Sequence, residues 1–368
     1  MIYFDHAATS FPKDRGMVKI LAESSLMCGN PGRSGYSASM YASQKLYECR
    51  EEAAGIFGTV PEKVILMPSC TAALNTAIKG LVKHGKTIMT NLEHNAVCRP
   101  LYALRNKGII EVSEFDALHD PVADFERVSD GAASLVMTHA SNVCGSILPV
   151  SEISERARKK GMTVIIDAAQ SACHIPVGFD TVDADVICVA GHKGPGGPLG
   201  TGLMLLNPES EGVFDTLIEG GTGVYSLDEE MPDVIPERYE AGTLNAPAFA
   251  SLAYSLKNTV ITKADGTVFR YIRNALENMK GIITYLPPDD TECLPILLFN
   301  VEGMTPDDVM TRLAEKDICV RSGYHCAPNS HRTLGSVNGG VRISLGKNNT
   351  LREARTFIDE LRKITKYA

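Results

Sequence analysis

The chain has 368 residues, with 36 basic side chains against 44 acidic ones, and its formal net charge of −8 excludes an electrostatic nucleic-acid binder. That length exceeds the roughly 250–300 residues at which one hydrophobic core stops growing, so a large domain with a smaller one is expected. No apolar run approaches the roughly 18 residues of a membrane span, and Met1-Ile2-Tyr3-Phe4-Asp5-His6 is neither a basic segment nor an apolar signal core, which together predict a cytoplasmic protein without membrane contact.

Short β-rich runs alternate with helical patterns through the first two-thirds: Val64-Ile65-Leu66-Met67, Thr87-Ile88-Met89, Leu135-Val136-Met137, Val164-Ile165-Ile166 and Val186-Ile187-Cys188-Val189. Continuous apolar strands between helices predict a buried, mostly parallel sheet, hence an α/β fold. The first strand runs through Pro68-Ser69-Cys70-Thr71 into a helix with Leu74, Ile78 and Leu81 on one face, and its start can offer free N–H groups and hydroxyls to an anion. Near residue 250 the pattern becomes helical. Val268, Phe269, Ile272, Leu276 and Met279 mark one helix, and two more open with capping boxes at Thr305-Pro306-Asp307-Asp308 and Thr350-Leu351-Arg352-Glu353. Ile318-Cys319-Val320 reads as a strand, followed by a polar loop from Arg321 to Gly340. The expected division is a large domain over 12–248 and a small α+β domain over 249–368. Ten cysteines are scattered singly from Cys28 to Cys326 with no C-x-x-C pair, which argues against a zinc cage, a dithiol site or a disulfide framework; reduced thiols and no metal are expected.

Gly191-His192-Lys193-Gly194 follows a buried strand and places one lysine amid small residues. A lysine there is either a Schiff-base candidate or an incidental turn residue. The nearby glycines mimic a dinucleotide loop, but Pro195 and Pro198 interrupt them and Thr201-Gly202-Leu203-Met204-Leu205-Leu206 continues as a strand rather than a helix. Asp167, at the carboxyl end of Val164-Ile165-Ile166, either caps a turn or holds a pyridine nitrogen protonated. Cys326 lies in a polar loop beside His325 and near Arg321, an arrangement expected to leave its thiol accessible and its thiolate favoured; the bland reading is a small core residue.

Asp167-x-x-Gln170 with Gly191-His192-Lys193 resembles the fold-type I pyridoxal phosphate (PLP) enzymes of aminotransferase class V. Arg321-Ser322-Gly323-Tyr324-His325-Cys326-Ala327-Pro328 narrows the resemblance to the group II cysteine desulfurase and selenocysteine lyase branch. The likeness extends from Tyr3-Phe4-Asp5-His6-Ala7-Ala8-Thr9 to Gly340-Val341-Arg342-Ile343-Ser344. It implies a large PLP-binding domain and a small C-terminal one, against which residues 1–11 pack.

The resemblance makes Lys193 the Schiff-base lysine and proton shuttle, Asp167 the partner of the pyridinium nitrogen, and Gln170 that of the ring hydroxyl. It implies that His94, in Asn91-Leu92-Glu93-His94-Asn95, stacks on the ring and that Asn142 meets the substrate and the ring oxygen. Cys70, Thr71 and His192 would hold the phosphate, with Gly242 and Thr243 contributing across a homodimer interface. Cys70 stands where a hydroxyl residue is usual, and Ala190 where a serine is, so the cradle is weaker by charge-assisted bonds of roughly 1.5–3 kcal/mol each. Arg342 would clamp the substrate carboxylate, or else serve as an ion-pair partner in a strand; Arg33 and Arg321 also resemble site residues. Cys326 would take sulfur from L-cysteine as a persulfide, leaving L-alanine for release and the sulfur for an acceptor protein. L-selenocysteine is an alternative substrate. The rivals are another class V aminotransferase or lyase activity and, from a different class, a PLP-free sulfur relay or binding scaffold.

Overall fold

Apolar strands buried on both faces organise the first two-thirds of the chain, as their continuous Val/Ile/Leu runs require. A computed structural model describes residues 1–32, 34–261 and 266–366. In chain order the elements begin β1 (Ile2–Tyr3), α1 (Arg15–Met27), α2 (Ser37–Phe57), β2 (Val64–Met67), α3 (Cys70–Leu81), β3 (Lys86–Thr90) and α4 (Asn95–Asn106). They continue with β4 (Glu111–Phe115), α5 (Pro121–Val128), β5 (Ala132–Thr138), α6 (Val150–Lys159), β6 (Thr163–Asp167), β7 (Val186–Ala190) and β8 (Gly202–Leu206). The last third holds α7 (Ala246–Lys257), α8 (Thr267–Glu277), β9 (Ile282–Tyr285), β10 (Ile296–Val301), α9 (Pro306–Ala314), β11 (Ile318–Cys319), β12 (Arg321–Gly323), α10 (Pro328–Thr333), β13 (Gly340–Ser344) and α11 (Leu351–Thr365).

Seven strands form the large sheet in the order β2-β8-β7-β6-β5-β3-β4. Only β8 runs against its neighbours, so the sheet is α/β and mostly parallel, as the sequence predicts. One face, with Leu66, Ile88, Met137, Ile166 and Leu205, packs on α2, α5, α6 and α7; the other, with Ile65, Met89, Val136, Ile165 and Met204, packs on α3 and α4. Strand β4 was not predicted. It lies at the edge, its Glu111 and Glu114 are exposed, and its sequence therefore lacks the continuous apolar run of an interior strand.

Helix α7 spans the expected domain boundary at 248/249. Phe249, Leu252 and Leu256 lie in the large-sheet core, so that core holds the chain through Lys257, some nine residues later than expected. A second core gathers Ile272, Leu276, Leu297, Phe299, Val341, Phe357 and Leu361 around the antiparallel sheet β12-β13-β10-β9. Phe4 is fully buried in it, edge-on to Phe357, and β1 pairs in parallel with β11; the N-terminal residues thus pack on the small sheet.

Two local predictions are corrected. Thr350 and Glu353 exchange both bonds of a capping box, but Thr305 and Asp308 do not: the shorter Asp308 carboxylate bonds the Thr305 hydroxyl, at 2.7 Å. The stretch from Arg321 to Gly340 is also no plain loop, for it contains β12 and α10. Elements of three and six residues are too short to show a period. Among the described residues no helix is long and apolar enough to cross a membrane.

The segment leading to Gly242 is anchored by a buried ion pair. Glu240 meets Arg50 of α2 through two bonds of 2.8 and 2.6 Å and also accepts from the Leu66 N–H. Glu240→Ala would leave the Arg50 charge buried and unpaired, and is expected to cost about 3–5 kcal/mol in urea unfolding. The double replacement Arg50→Met with Glu240→Leu should recover most of that loss.

Candidate active site

Strands β2, β3, β5, β6 and β7 run in parallel directions and end at one edge of the sheet, where α/β proteins bind ligands. Their ends deliver Ser69-Cys70-Thr71, Glu93-His94, Thr138 to Asn142, Asp167 to Gln170, and Ala190 to Lys193. A cavity of about 200 Å³ forms there, lined by Cys70, Thr71, His94, Asn142, Asp167, Gln170, His192 and Lys193 together with small neighbours. Eight of the expected site residues thus come together. Two glycines permit the close packing: a Cβ on Gly202 would stand 2.4 Å from the Ser69 carbonyl carbon, and one on Gly194 would stand 1.9 Å from the Ala172 oxygen.

Ser69 caps α3 by accepting from the Ala72 N–H at 3.1 Å, whereas the N–H groups of Cys70 and Thr71 have no protein acceptor among the described residues. Those two N–H groups and the positive end of the helix suit an anion. The Cys70 thiol points elsewhere. It donates to Asp167 Oδ1 at 3.7 Å, an oxygen that also accepts from the Ala169 N–H at 2.9 Å. With Oδ1 so occupied, Oδ2 is the oxygen that remains for a ligand. The donor set therefore fits a flat, protonated heteroaromatic ring carrying an anionic arm, with the lysine Nζ beside it.

Electrostatics follow from burial. Desolvation raises the Asp167 pKa and lowers that of Lys193, with the Asp167 charge opposing the latter shift. His94 is lowered to about 4, by burial first and then by Lys193, Arg321 and Arg342. Its Nδ1 accepts from the Ala96 N–H at 3.0 Å, so in the neutral ring the proton sits on Nε2. Burial also lowers His192 to about 4, and its Nδ1 lies 3.1 Å from the Thr9 hydroxyl. Gln170 donates Nε2 to the Ala7 carbonyl at 3.0 Å.

The Cys326 loop approaches from the small domain. Cys326 is exposed, and the loop is bonded to the cavity rim twice: Asn95 N–H to the Cys326 carbonyl at 2.7 Å, and Asn142 Nδ2 to the His325 carbonyl at 2.8 Å. His325 and Cys326 both adopt left-handed backbone, at φ 51° and 55°, a conformation costing about 1–2 kcal/mol per non-glycine residue. The expected help of His325 to the thiol is corrected here. Its ring is 4% exposed, both nitrogens bond elsewhere, and burial drives its pKa to about 2, so it supplies no positive charge.

Other expected residues lie outside the cavity lining. Arg342 is 1% exposed and donates to Asp5 at 2.8 Å and to the Asn142 carbonyl at 2.9 Å, while its Nε–H has no partner among the described residues. Asp5 is a partner that sequence reasoning missed, for 337 residues separate the two. Arg321 is exposed on β12. Gly242 and Thr243 are exposed, with Gly242 at φ 97°. Arg33 lies outside the described residues. All ten cysteines are free.

The family model for Aminotransferase class-V matches residues 2–357. Among curated relatives, the probable cysteine desulfurase of Methanothermobacter thermautotrophicus is 31% identical over 99% of this chain and 94% of its own. That of Pyrococcus abyssi is 32% identical over 100% and 94%. The apo structure of a cysteine desulfurase from Thermococcus onnurineus NA1 superposes with a TM-score of 0.93 at 30% identity, covering 100% of this chain and 95% of that one. The cysteine desulfurase CsdA of Escherichia coli, at 23% identity over 99% and 94%, shares the fold with a TM-score of 0.88.

Glu93, three residues past the end of β3, was also missed. Fully buried, it accepts from the Thr138 N–H at 2.9 Å and the Thr90 hydroxyl at 2.7 Å through Oε1, while Oε2 has no partner among the described residues. Burial raises its pKa to about 8, so it is a neutral acid at pH 7. A carboxyl raised from about 4.5 to about 8 stabilises the fold fully below the lower value, and that contribution is lost as pH climbs through the upper one. Glu93→Gln is therefore expected to flatten the fall in thermal midpoint between pH 6 and 8.5, which paired melting curves of parent and variant would measure.

Proposed function

The chain belongs to the class V aminotransferase family, and on that premise we propose that it is a PLP-dependent cysteine desulfurase, converting L-cysteine to L-alanine and keeping the sulfur as a persulfide on Cys326. The observation that carries this reading is that Lys193 and Asp167 share one cavity whose rim is hydrogen-bonded to the loop bearing an exposed thiol. A plain aminotransferase has no use for that thiol, and a PLP-free relay has none for a desolvated lysine beside a buried aspartate.

PLP, when bound, supplies a protonated ring that takes up the electron pair left by removal of the substrate α-proton. Asp167 would hold the ring nitrogen through Oδ2, with Cys70 and Ala169 fixing Oδ1. The free N–H groups of Cys70 and Thr71, with His192, would hold the phosphate. The Cys70 side chain contributes nothing there, since it faces Asp167. His94 would lie against the ring with its orientation set by Ala96, and Gln170 and Asn142 would meet ring and substrate oxygens.

Lys193 moves the proton. Because burial lowers its pKa, its amine is more readily neutral than a solvated lysine and can take the α-proton and return it. Arg342 would receive the substrate carboxylate through its unpartnered Nε–H. Cys326 Sγ then attacks the substrate sulfur as the carbon–sulfur bond breaks; cysteine plus enzyme thiol become alanine plus enzyme persulfide. A thiol of an acceptor protein would collect that sulfur. L-selenocysteine would fit the same contacts. Ten unpaired thiols suit a reducing cytoplasm.

Cys326→Ser removes the nucleophile at little change in volume. Cofactor absorbance and its response to added cysteine should persist, while alanine formation falls by orders of magnitude; release at the parent rate would return the chain to the lyases or aminotransferases of its family. Thr243, exposed beside Gly242, would reach the phosphate of a second subunit in a homodimer. Mixing inactive Lys193→Ala and Thr243→Asp subunits should then restore part of the activity. A fully active monomer in sedimentation would exclude this arrangement.

A further inference from the structure

Behind Cys326 lies a chain of three buried side chains that the proposed reaction leaves without a task. His325 Nε2 stands 3.1 Å from the Arg321 carbonyl, and since a carbonyl only accepts, that nitrogen carries the proton. The neutral His325 ring must therefore accept at Nδ1. The group facing it is His331 Nε2, at 3.1 Å, which donates. Burial lowers the His331 pKa as well, so its Nδ1 is left to accept from the Ser336 hydroxyl at 2.8 Å. The two imidazoles lie nearly parallel, 13° apart with centroids at 5.3 Å, and Tyr324 packs edge-on against His331. Ser336, His331 and His325 are 1%, 1% and 4% exposed, so the two bonds that join these side chains are shielded from water.

The helix that carries His331 is itself tied to the large domain. Asn329 Nδ2 donates to the Tyr102 hydroxyl at 3.0 Å and to Glu114 Oε1 at 3.1 Å, and Tyr102 donates to the same carboxylate oxygen at 2.9 Å. His325 is thus gripped from both sides: its ring by His331 on a docked helix, its carbonyl by Asn142. Two consecutive non-glycine residues with left-handed φ persist only where their surroundings over-determine them, and these contacts do so.

We propose that His331, backed by Ser336, is a positioning residue for the nucleophile: its Nε2–H holds the His325 ring and thereby fixes the left-handed turn that presents Cys326 Sγ at the cavity rim. The role rests on the reading of Cys326 as sulfur acceptor. It adds no chemical step. Its effect is on the fraction of time that the thiol is in reach of the substrate sulfur, and hence on kcat rather than on cysteine binding.

Three variants of the holoenzyme test it. His331→Phe keeps a ring for packing and removes the donor, His331→Gln puts an amide N–H within similar reach, and Cys326→Ser is run beside them. For His331→Phe, kcat for alanine formation should fall roughly tenfold to a hundredfold, the loss associated with a misplaced reacting group. KM and cofactor absorbance should stay near the parent's, and the rate of iodoacetamide labelling at the Cys326 peptide should change severalfold. His331→Gln should recover most of kcat and the parent labelling rate. A His331→Phe enzyme with parent kcat and labelling, beside an inactive Cys326→Ser, overturns the positioning role alone. Equal losses in His331→Phe and His331→Gln overturn it too, because the hydrogen bond is then not what matters. An active Cys326→Ser overturns the underlying reading and this role with it. Should His331→Phe fail to fold, Ser336→Ala must still lower kcat at constant KM, and an unchanged kcat there counts against the proposal.

Discussion

Lys193 and Asp167 both lose water at the carboxyl edge of a buried sheet, and no ion pair joins them among the described residues to offset that loss. Each instead has its pKa pushed toward the neutral form, tempered by the charge of the other. Shielding two such groups requires close walls, and the fold supplies them around Asp167 while leaving Lys193 half-buried at the cavity. Helices α3 and α4 start at the cavity, β8 presses Gly202 against the turn into α3, and the histidines that line the space are held neutral. A chain that buried these groups only for stability would gain more from apolar residues. Their presence is intelligible as preparation for a ligand that needs an amine, a carboxylate and a helix N-terminus in one place.

The N-terminal segment stitches the two cores together at that place. Phe4 lies in the small core, Asp5 holds Arg342, the Ala7 carbonyl holds Gln170, and Thr9, Ser10 and Lys13 all donate to the carbonyl of His192, the residue before the lysine. Among the described residues Lys13 has no carboxylate beside it, and burial lowers its pKa to about 8. The peptide leading into Lys193 is thus clamped by a stretch of chain nearly two hundred residues away. From the opposite side the Cys326 loop is clamped by Asn95 and Asn142. Nucleophile and amine stand beside different cores, and their relation is set by these polar contacts together with a small apolar seam in which Val143 packs on Leu298 and Ala327.

Much of the architecture could be read from the residues alone. Four of the five apolar runs became interior strands, and the fifth became β2, an edge strand found at its expected limits and buried along its whole length, because a strand buried on both faces must be apolar at every position. The Thr350 box formed because Glu reaches back to the cap N–H; the Thr305 site did not complete one because Asp is a methylene shorter. What stayed invisible had no local signature. Edge strand β4 is half polar, β12 and α10 are shorter than a period, and α7 reads as helix on its own whichever core it joins.

For the site, the sequence by itself determined the chemistry available: one lysine after a buried strand, one aspartate at the end of another, a helix start with free donors, and a single cysteine in a polar loop. The tertiary structure decided how those groups are used. It turned the Cys70 thiol onto Asp167, occupied Arg342 with Asp5, drew His325 away from Cys326 toward His331, and left Glu93 neutral in the wall. The reason is physical. Strand, helix and cap signals act over a few residues and survive in any context, whereas desolvation and hydrogen-bond partners depend on residues 183 or 337 positions away, which meet only when the chain has closed.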